Sequence, residues 1–331
     1  MKIVFPAYYQ DFACVAAACT DSCCHEWTVD VDPVAVQYYK ELPGALGDRL
    51  RAVLQDTGGG AAMALENGRC PMWRQDGLCR IQAELGHDAL CKTCREFPRL
   101  QHVYGNLTEL DLELSCPEAA RLILTSGNQN LLTRTQPGEE EPDYDTQLME
   151  LLLESREEAL AFLNSSTGDT WEDLAVLLLY AHDVQAAIDG GERTPLDAQA
   201  LLTEANKYAQ TPDLQGLVDF FGELEILTPR WQNLLKQAPK LCQSPHIRSL
   251  ARYWIRRYWL QTVTDYDLVC RAKFVVAACL VVASVGVDKL QTAQLFSKEI
   301  ENDPDNVETI LDGAYTAPAL TDANLLGLLL R

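Results

Sequence analysis

Cysteine is the residue type in this chain best suited to chemistry. Nine of its twelve cysteines lie before residue 117: Cys14, Cys19, Cys23, Cys24, Cys70, Cys79, Cys91, Cys94 and Cys116. Buried structural cysteines would scatter through a core, so this crowding points to metal or redox chemistry. Cys91-Lys92-Thr93-Cys94 is a C-x-x-C pair, whose two intervening residues let the chain loop until both sulfurs reach one metal centre. A thioredoxin-like redox pair shares that spacing, but no βαβ pattern surrounds this one. Cys23 and Cys24 are adjacent. Adjacent side chains point apart in most backbone conformations, so one is expected to bind a metal while the other serves a second centre or stays free. Four thiolates close a tetrahedral zinc site or hold an iron–sulfur cluster. Nine exceed one site, and spacing alone leaves zinc and iron both open. His25 and His87 are further candidate donors.

Other chemistry is thin. Gly58-Gly59-Gly60 follows a helical stretch rather than a strand, which argues against a phosphate or dinucleotide loop. Trp27, Trp73, Tyr8, Tyr9 and Phe97 lie among the cysteines and read as walls of a small core. Arg95, Arg99 and Arg121 are available to offset thiolate charge, although surface ion pairing is their ordinary role. Cys270 and Cys279 sit in apolar helix and read as core, and Cys242 precedes a Ser-Pro turn.

The elements that must position the cysteines read as mostly helical. Pro33 to Leu54 predicts a helix interrupted near Pro43-Gly44, and Asp76-Gly77 a turn between Cys70 and Cys79. Leu107 to Leu114 alternates, which predicts one short strand or extended segment. Ser115-Cys116-Pro117-Glu118 has the form of a capping box and would start a helix running through Leu124, with Cys116 beside its N-terminal amides. Later helices are expected from about 148, from Thr170 behind an Asp169 cap, and near 195–209, 213–225, 245–264, 267–285, 289–301 and 318–330. The expected architecture is mainly α, with a cysteine-rich metal-binding N-terminal unit (1–126) packed on a helical C-terminal region (147–331). Between them, 127–146 reads as an acidic linker or loop carrying Glu139-Glu140-Glu141.

Composition bounds the function classes. A net charge of -21 argues against a nucleic-acid binder or a partner of anionic membranes, both of which need a basic face, and suits a lysine-bearing protein partner. The longest apolar stretch, Phe274 to Gly286, is short of the ~20 residues a membrane span needs and reads as a buried helix. The opening MKIVFPAYYQDFAC has too short an apolar run for a signal peptide, so the cytoplasm is the expected compartment. Reduced thiols and metal ligation are the rule there.

Three blocks, FACVAAACTDSCCHEWTVDVD, CPMWRQDGLCRIQAELGHDALCKTCREFPR and LELSCPEAARLIL, resemble the flagellin lysine-N-methylases. These carry a zinc- or iron-chelating domain named for its C-x-x-C-x-x-C-C type of cysteine pattern. The likeness covers roughly residues 5–126 and continues faintly in RYWIRRYWLQTVTDYDLVCRAKFVVAA. It implies methyl transfer to flagellin lysines, with S-adenosylmethionine as donor and a 4Fe-4S cluster. Carried over by motif, the ligand candidates are Cys19, Cys23, Cys24, Cys70, Cys79, Cys91, Cys94 and Cys116, with Cys14 beside them. Two features depart from common donor sites. No Gly-rich strand–turn–helix is present, and in the C-x-x-x-C-x-x-C spacing Cys19 and Cys23 are followed by Glu26 where a third cysteine would fall. Any donor site is therefore expected to be unconventional. Methylation needs an uncharged amine, hence a base or a desolvating pocket. Glu26, Asp30, Asp32, Glu96 and Glu109 are the candidate bases.

Overall fold

Short extended runs build two small sheets in the N-terminal third. The strands are β1 (Lys2–Pro6), β2 (Val29–Val31), β3 (Leu54–Asp56), β4 (Ala61–Met63), β5 (Arg99–Tyr104), β6 (Leu107–Leu112) and β7 (Leu131–Thr135). This computed structural model describes residues 1–58, 60–126, 130–138 and 141–331. Gly59 of the triglycine, the polar residues 127–129, and Glu139 and Glu140 of the acidic run lie outside the described residues.

One sheet has the order β5-β6-β1-β7, with β1 parallel to β6 and antiparallel to β7. The other is antiparallel, in the order β2-β4-β3. The alternating Leu107–Leu114 run does supply a strand, β6. Six further strands accompany it, three of them only three residues long and thus too short to display a period. The stretch expected to be linker contains β7, whose five residues are all exposed at the sheet edge and pair with β1 from Lys2 to Pro6. Leu-Leu-Thr-Arg-Thr has ample β propensity, and backbone pairing rather than side-chain burial holds it.

The small sheet packs against the helices Pro33–Glu41 and Gly44–Val53, which break where Pro43 was expected to break them. Val29, Val31, Tyr39, Leu50, Met63 and Met72 form its core together with Cys70 and Cys91. The remainder of the chain is helical and shares one large core with the Leu112–Leu124 region, Tyr8 and Phe12. Its centre is Val269–Ser284, every residue of which is buried. At about 1.5–3 kcal/mol for each fully buried large apolar side chain, this helix accounts for much of the driving force. Cys270 and Cys279 are buried in it, as expected.

Six of the 48 acidic residues have a local job at helix starts. Asp145, Asp169, Asp197, Asp213, Asp288 and Asp303 each accept a backbone N–H at the start of the following helix. Two buried ion-pair groups join β6 to the helices. Arg156 donates to both oxygens of Glu109, at 2.8 and 2.5 Å. Arg256 donates to the Tyr8 hydroxyl at 2.6 Å, and Tyr8 donates to Asp111 at 2.6 Å. Among the described residues no helix is long and apolar enough to cross a membrane.

Candidate metal centre

The nine N-terminal cysteines arrive from four segments. Cys14 to Cys24 run through a loop with only one short 3-10 turn, Ala16–Ala18. Ala16 and Glu26 bracket the Cys19–Cys24 stretch with positive φ values of 48 and 68°, a conformation costly for residues with a Cβ. Cys70 follows in an irregular loop whose Asp76-Gly77 turn forms as expected. Cys79, Cys91 and Cys116 are the N-cap residues of the helices Arg80–Leu85, Lys92–Glu96 and Pro117–Thr125. Their sulfurs therefore lie near helix-end amides. The expected capping box does not form. Ser115 donates to Glu113 at 3.2 Å and Glu118 pairs with Arg121 at 2.6 Å, so the cap position falls on Cys116 and is closed by no side chain.

All twelve cysteines are free thiols. Several sit close enough to shift one another. Cys24 is pushed up to about 12, first by its contact with Cys23, while Cys70 on its other side pulls the opposite way. Cys70 is raised well above the thiol range by Cys24 and by burial. The pair of the C-x-x-C behaves as one acid: their mutual contact drives Cys91 down and Cys94 up. Cys79 is raised by burial, against the pull of the Gln82 and Ile81 amides. Burial likewise pushes Cys116 up to about 11, overriding the Ala119 and Glu118 amides. The adjacent Cys23 and Cys24 were expected to point apart, yet Cys23 is the foremost influence on the Cys24 thiol.

A cavity of about 740 Å³ opens between the cysteine segments and the C-terminal helices. Cys14, Cys19, Cys23, Cys24, Cys79, Cys94 and Cys116 line it, with Phe12, Trp27 and Phe97 as apolar walls. Its size falls in the ~300–1,000 Å³ range of small-molecule sites. Cys70 and Cys91 are buried in the small core. Among the described residues, no group of three or more His, Cys, Asp or Glu side chains stands ready to hold a metal ion. The donor set nonetheless fits a thiophilic metal in kind: soft ligands, free, and seven of them on one cavity.

The histidines divide. His25 lies against Trp73, its basicity lowered by burial and then by Arg69, and its buried Nε2 has no hydrogen-bond partner among the described residues. His87 is exposed and lines the cavity. Of the five candidate bases only Glu26 lines the cavity. Asp32 caps Pro33–Glu41 and accepts from Lys92; Glu109 is held by Arg156; Asp30 and Glu96 are exposed. Arg95 and Arg99 line the cavity, whereas Arg121 is engaged by Glu118.

Three residues of the C-terminal helices escaped the sequence, of which Lys298 and Glu299 line the cavity and Gln294 packs behind it. Lys298 Nζ lies 2.9 Å from Glu26 and 3.4 Å from Asp21. Gln294 Nε2 donates to Asp21 at 3.0 Å and to the Ser115 carbonyl at 2.8 Å. Glu299 is raised by burial and accepts from the Leu227 amide at 2.7 Å. Ser297–Glu301 is a π-helical turn. Such a turn shifts the helix face by one residue, so a 3.6-residue period misplaces the Lys298 and Glu299 side chains.

Comparison with known proteins bears on what this site serves. The chain is 35% identical over 134 residues to the flagellar biosynthetic protein FliU of Salmonella muenchen, a match taking in 38% of this chain and 78% of FliU. It is 34% identical over the same length to the lysine-N-methylases of Salmonella choleraesuis and Salmonella typhimurium. The chain belongs to the family of FliU and the lysine-N-methylases. Its match spans only about a third of the length of either lysine-N-methylase. No family model matches the chain, and no solved structure does.

Proposed function

We propose that this chain is a protein lysine N-methyltransferase acting on flagellin in the cytoplasm, with S-adenosylmethionine as donor and an iron–sulfur cluster, or alternatively zinc, on its N-terminal cysteines. The observation that carries this is the pairing of family membership with a cavity lined by seven cysteines. When bound, the donor supplies a sulfonium methyl group and the cluster a site for electron transfer.

The chain's own residues have a narrower task. A lysine arrives as ammonium and must lose a proton before its nitrogen can attack. Phe12, Trp27 and Phe97 make the cavity wall apolar, which disfavours the charged amine. Glu26 is the carboxylate best located to accept the proton, and Lys298 fixes it at the wall. The acidic chain, at -21, favours approach of a lysine-bearing protein over nucleic acid.

Anaerobically purified protein incubated with flagellin and S-adenosylmethionine should add the mass of a methyl group to flagellin lysines, read by mass spectrometry. Metal-loaded protein that leaves the flagellin mass unchanged would refute the proposal. A second reading, a non-catalytic zinc- or iron-binding interaction module or metal carrier, is favoured by the short span of the lysine-N-methylases that is matched. A colourless protein with stoichiometric zinc, no iron and no methylation would support it.

A further inference from the structure

Three long cationic side chains line the cavity: Arg95, Arg99 and Lys298. Lys298 is already paired, with Glu26 and Asp21. Arg95 and Arg99 form no ion pair among the described residues. Asp32, a carboxylate that feels the charge of Arg95, spends its two oxygens on the Ala35 and Lys92 amides. The chain has 48 acidic residues against 27 lysines and arginines, so carboxylates are plentiful. Two guanidiniums left without one on the same cavity point to an anion that comes from outside the chain.

The backbone that carries them is fixed. Arg95 closes the short helix Lys92–Glu96, its N–H donating to the Cys91 carbonyl at 2.9 Å, and Arg99 opens β5. Between them the Phe97 N–H donates to the Thr93 carbonyl at 3.0 Å, and the Pro98 carbonyl accepts the Glu113 N–H at 2.7 Å. The Thr93 hydroxyl in turn donates to the Asp30 carbonyl at 2.9 Å. The two arginines therefore flank Phe97 on a segment that needs no rearrangement to receive a ligand, which lowers the cost of binding.

Apolar surface lies beside the cations. The rings of Phe97 and Trp27 stand 5.5 Å apart, and the Arg99 guanidinium lies 5.2 Å from the centre of the Phe12 ring. All three aromatic residues line the cavity. An anion beside an aromatic wall suits a small molecule with a planar base at one end and a negative group at the other.

We propose that Arg95 and Arg99 form the anion-binding end of the cavity and hold the carboxylate on the amino-acid tail of the methyl donor. This rests on the donor named in the function proposed above and adds the residues that recognise it. The arginine fork matches a carboxylate with parallel N–H donors, while Phe12, Trp27 and Phe97 supply the apolar wall for the base.

Calorimetric binding to the anaerobically purified full chain tests this with three probes. S-adenosylhomocysteine carries the carboxylate, methylthioadenosine lacks that tail, and adenosine monophosphate carries a phosphate instead. The wild type should bind S-adenosylhomocysteine the most tightly. Arg95→Gln and Arg99→Gln should each weaken it by about tenfold, the scale of one lost charged hydrogen bond, and leave methylthioadenosine unchanged. Metal content and melting temperature should stay at wild-type values. Variants that weaken both adenosine thioethers equally would show a structural role. Variants that keep S-adenosylhomocysteine but lose metal would assign the cations to the cysteines. Adenosine monophosphate held more tightly than S-adenosylhomocysteine would mark a phosphate site. Each of these three results would overturn the proposal. A wild type that binds none of the probes would instead remove the donor reading on which it rests.

Discussion

Asp32 joins two helices through its two carboxylate oxygens. Oδ1 accepts the Ala35 amide at 3.0 Å at the start of Pro33–Glu41, and Oδ2 accepts the Lys92 amide at 2.7 Å, next to Cys91. The C-x-x-C turn is therefore held by a residue 60 positions away in sequence. Asp32→Ala should destabilise the protein by about 1–2 kcal/mol, the usual cost of a lost cap. It should also speed alkylation of Cys94 in metal-free protein. Urea unfolding and mass-spectrometric alkylation measure the two effects.

The same bond gives a pH dependence. The Lys92 amide, foremost, and then the Ala35 amide hold the Asp32 carboxyl below its ordinary 3.8, against the effect of burial. A carboxylate lowered on folding contributes stability that is present above its unfolded pKa and lost as pH falls through the folded one. The stability gap between wild type and Asp32→Asn should thus stay level above pH 3.8 and shrink below it. A gap that stays constant through that acid range would show that the charge of Asp32 contributes nothing.

Lys298→Met keeps the side chain's apolar length but leaves Asp21 and Glu26 without their buried cation. We expect a loss of about 1–3 kcal/mol, the scale of an abandoned charged hydrogen bond. Cys19 and Cys23 should become more reactive as the loop between them is released. Alkylation rates equal to wild type would mean that the clamp does not position the loop.

Arg256→Ala removes the guanidinium that holds Tyr8 and Asp111 in the large core. Asp111 would be left buried without its cation, at a cost of about 3–5 kcal/mol. Arg256→Ala combined with Asp111→Ala should recover part of that loss, because no charge is then stranded. Chemical denaturation of the two variants measures the difference.

Most of the helical half was legible because its signals are local, although the helices Pro229–Leu235 and Pro304–Thr316 went unread. Asp169 caps Thr170–Ile188 as read, and the apolar run after Lys273 is the fully buried helix its composition implied. The capping box at Ser115 failed because Glu118 had a better partner in Arg121, three residues on and charged. The sheet order was illegible since β1 pairs with β6 and β7, more than 100 residues away, through backbone groups that carry no sequence code. The cysteines themselves could be picked out from their crowding. The contacts that hold the Cys19–Cys24 loop could not, because Gln294 and Lys298 reach Asp21 and Glu26 from the far end of the chain.

The most direct test of the account is metal and acid-labile sulfide analysis, with an absorption spectrum, on protein purified without oxygen. Stoichiometric iron and sulfide, with a brown colour that disappears in a Cys91→Ser, Cys94→Ser variant, is the predicted result. Protein holding neither iron nor zinc, or holding the same metal after that double substitution, would contradict it.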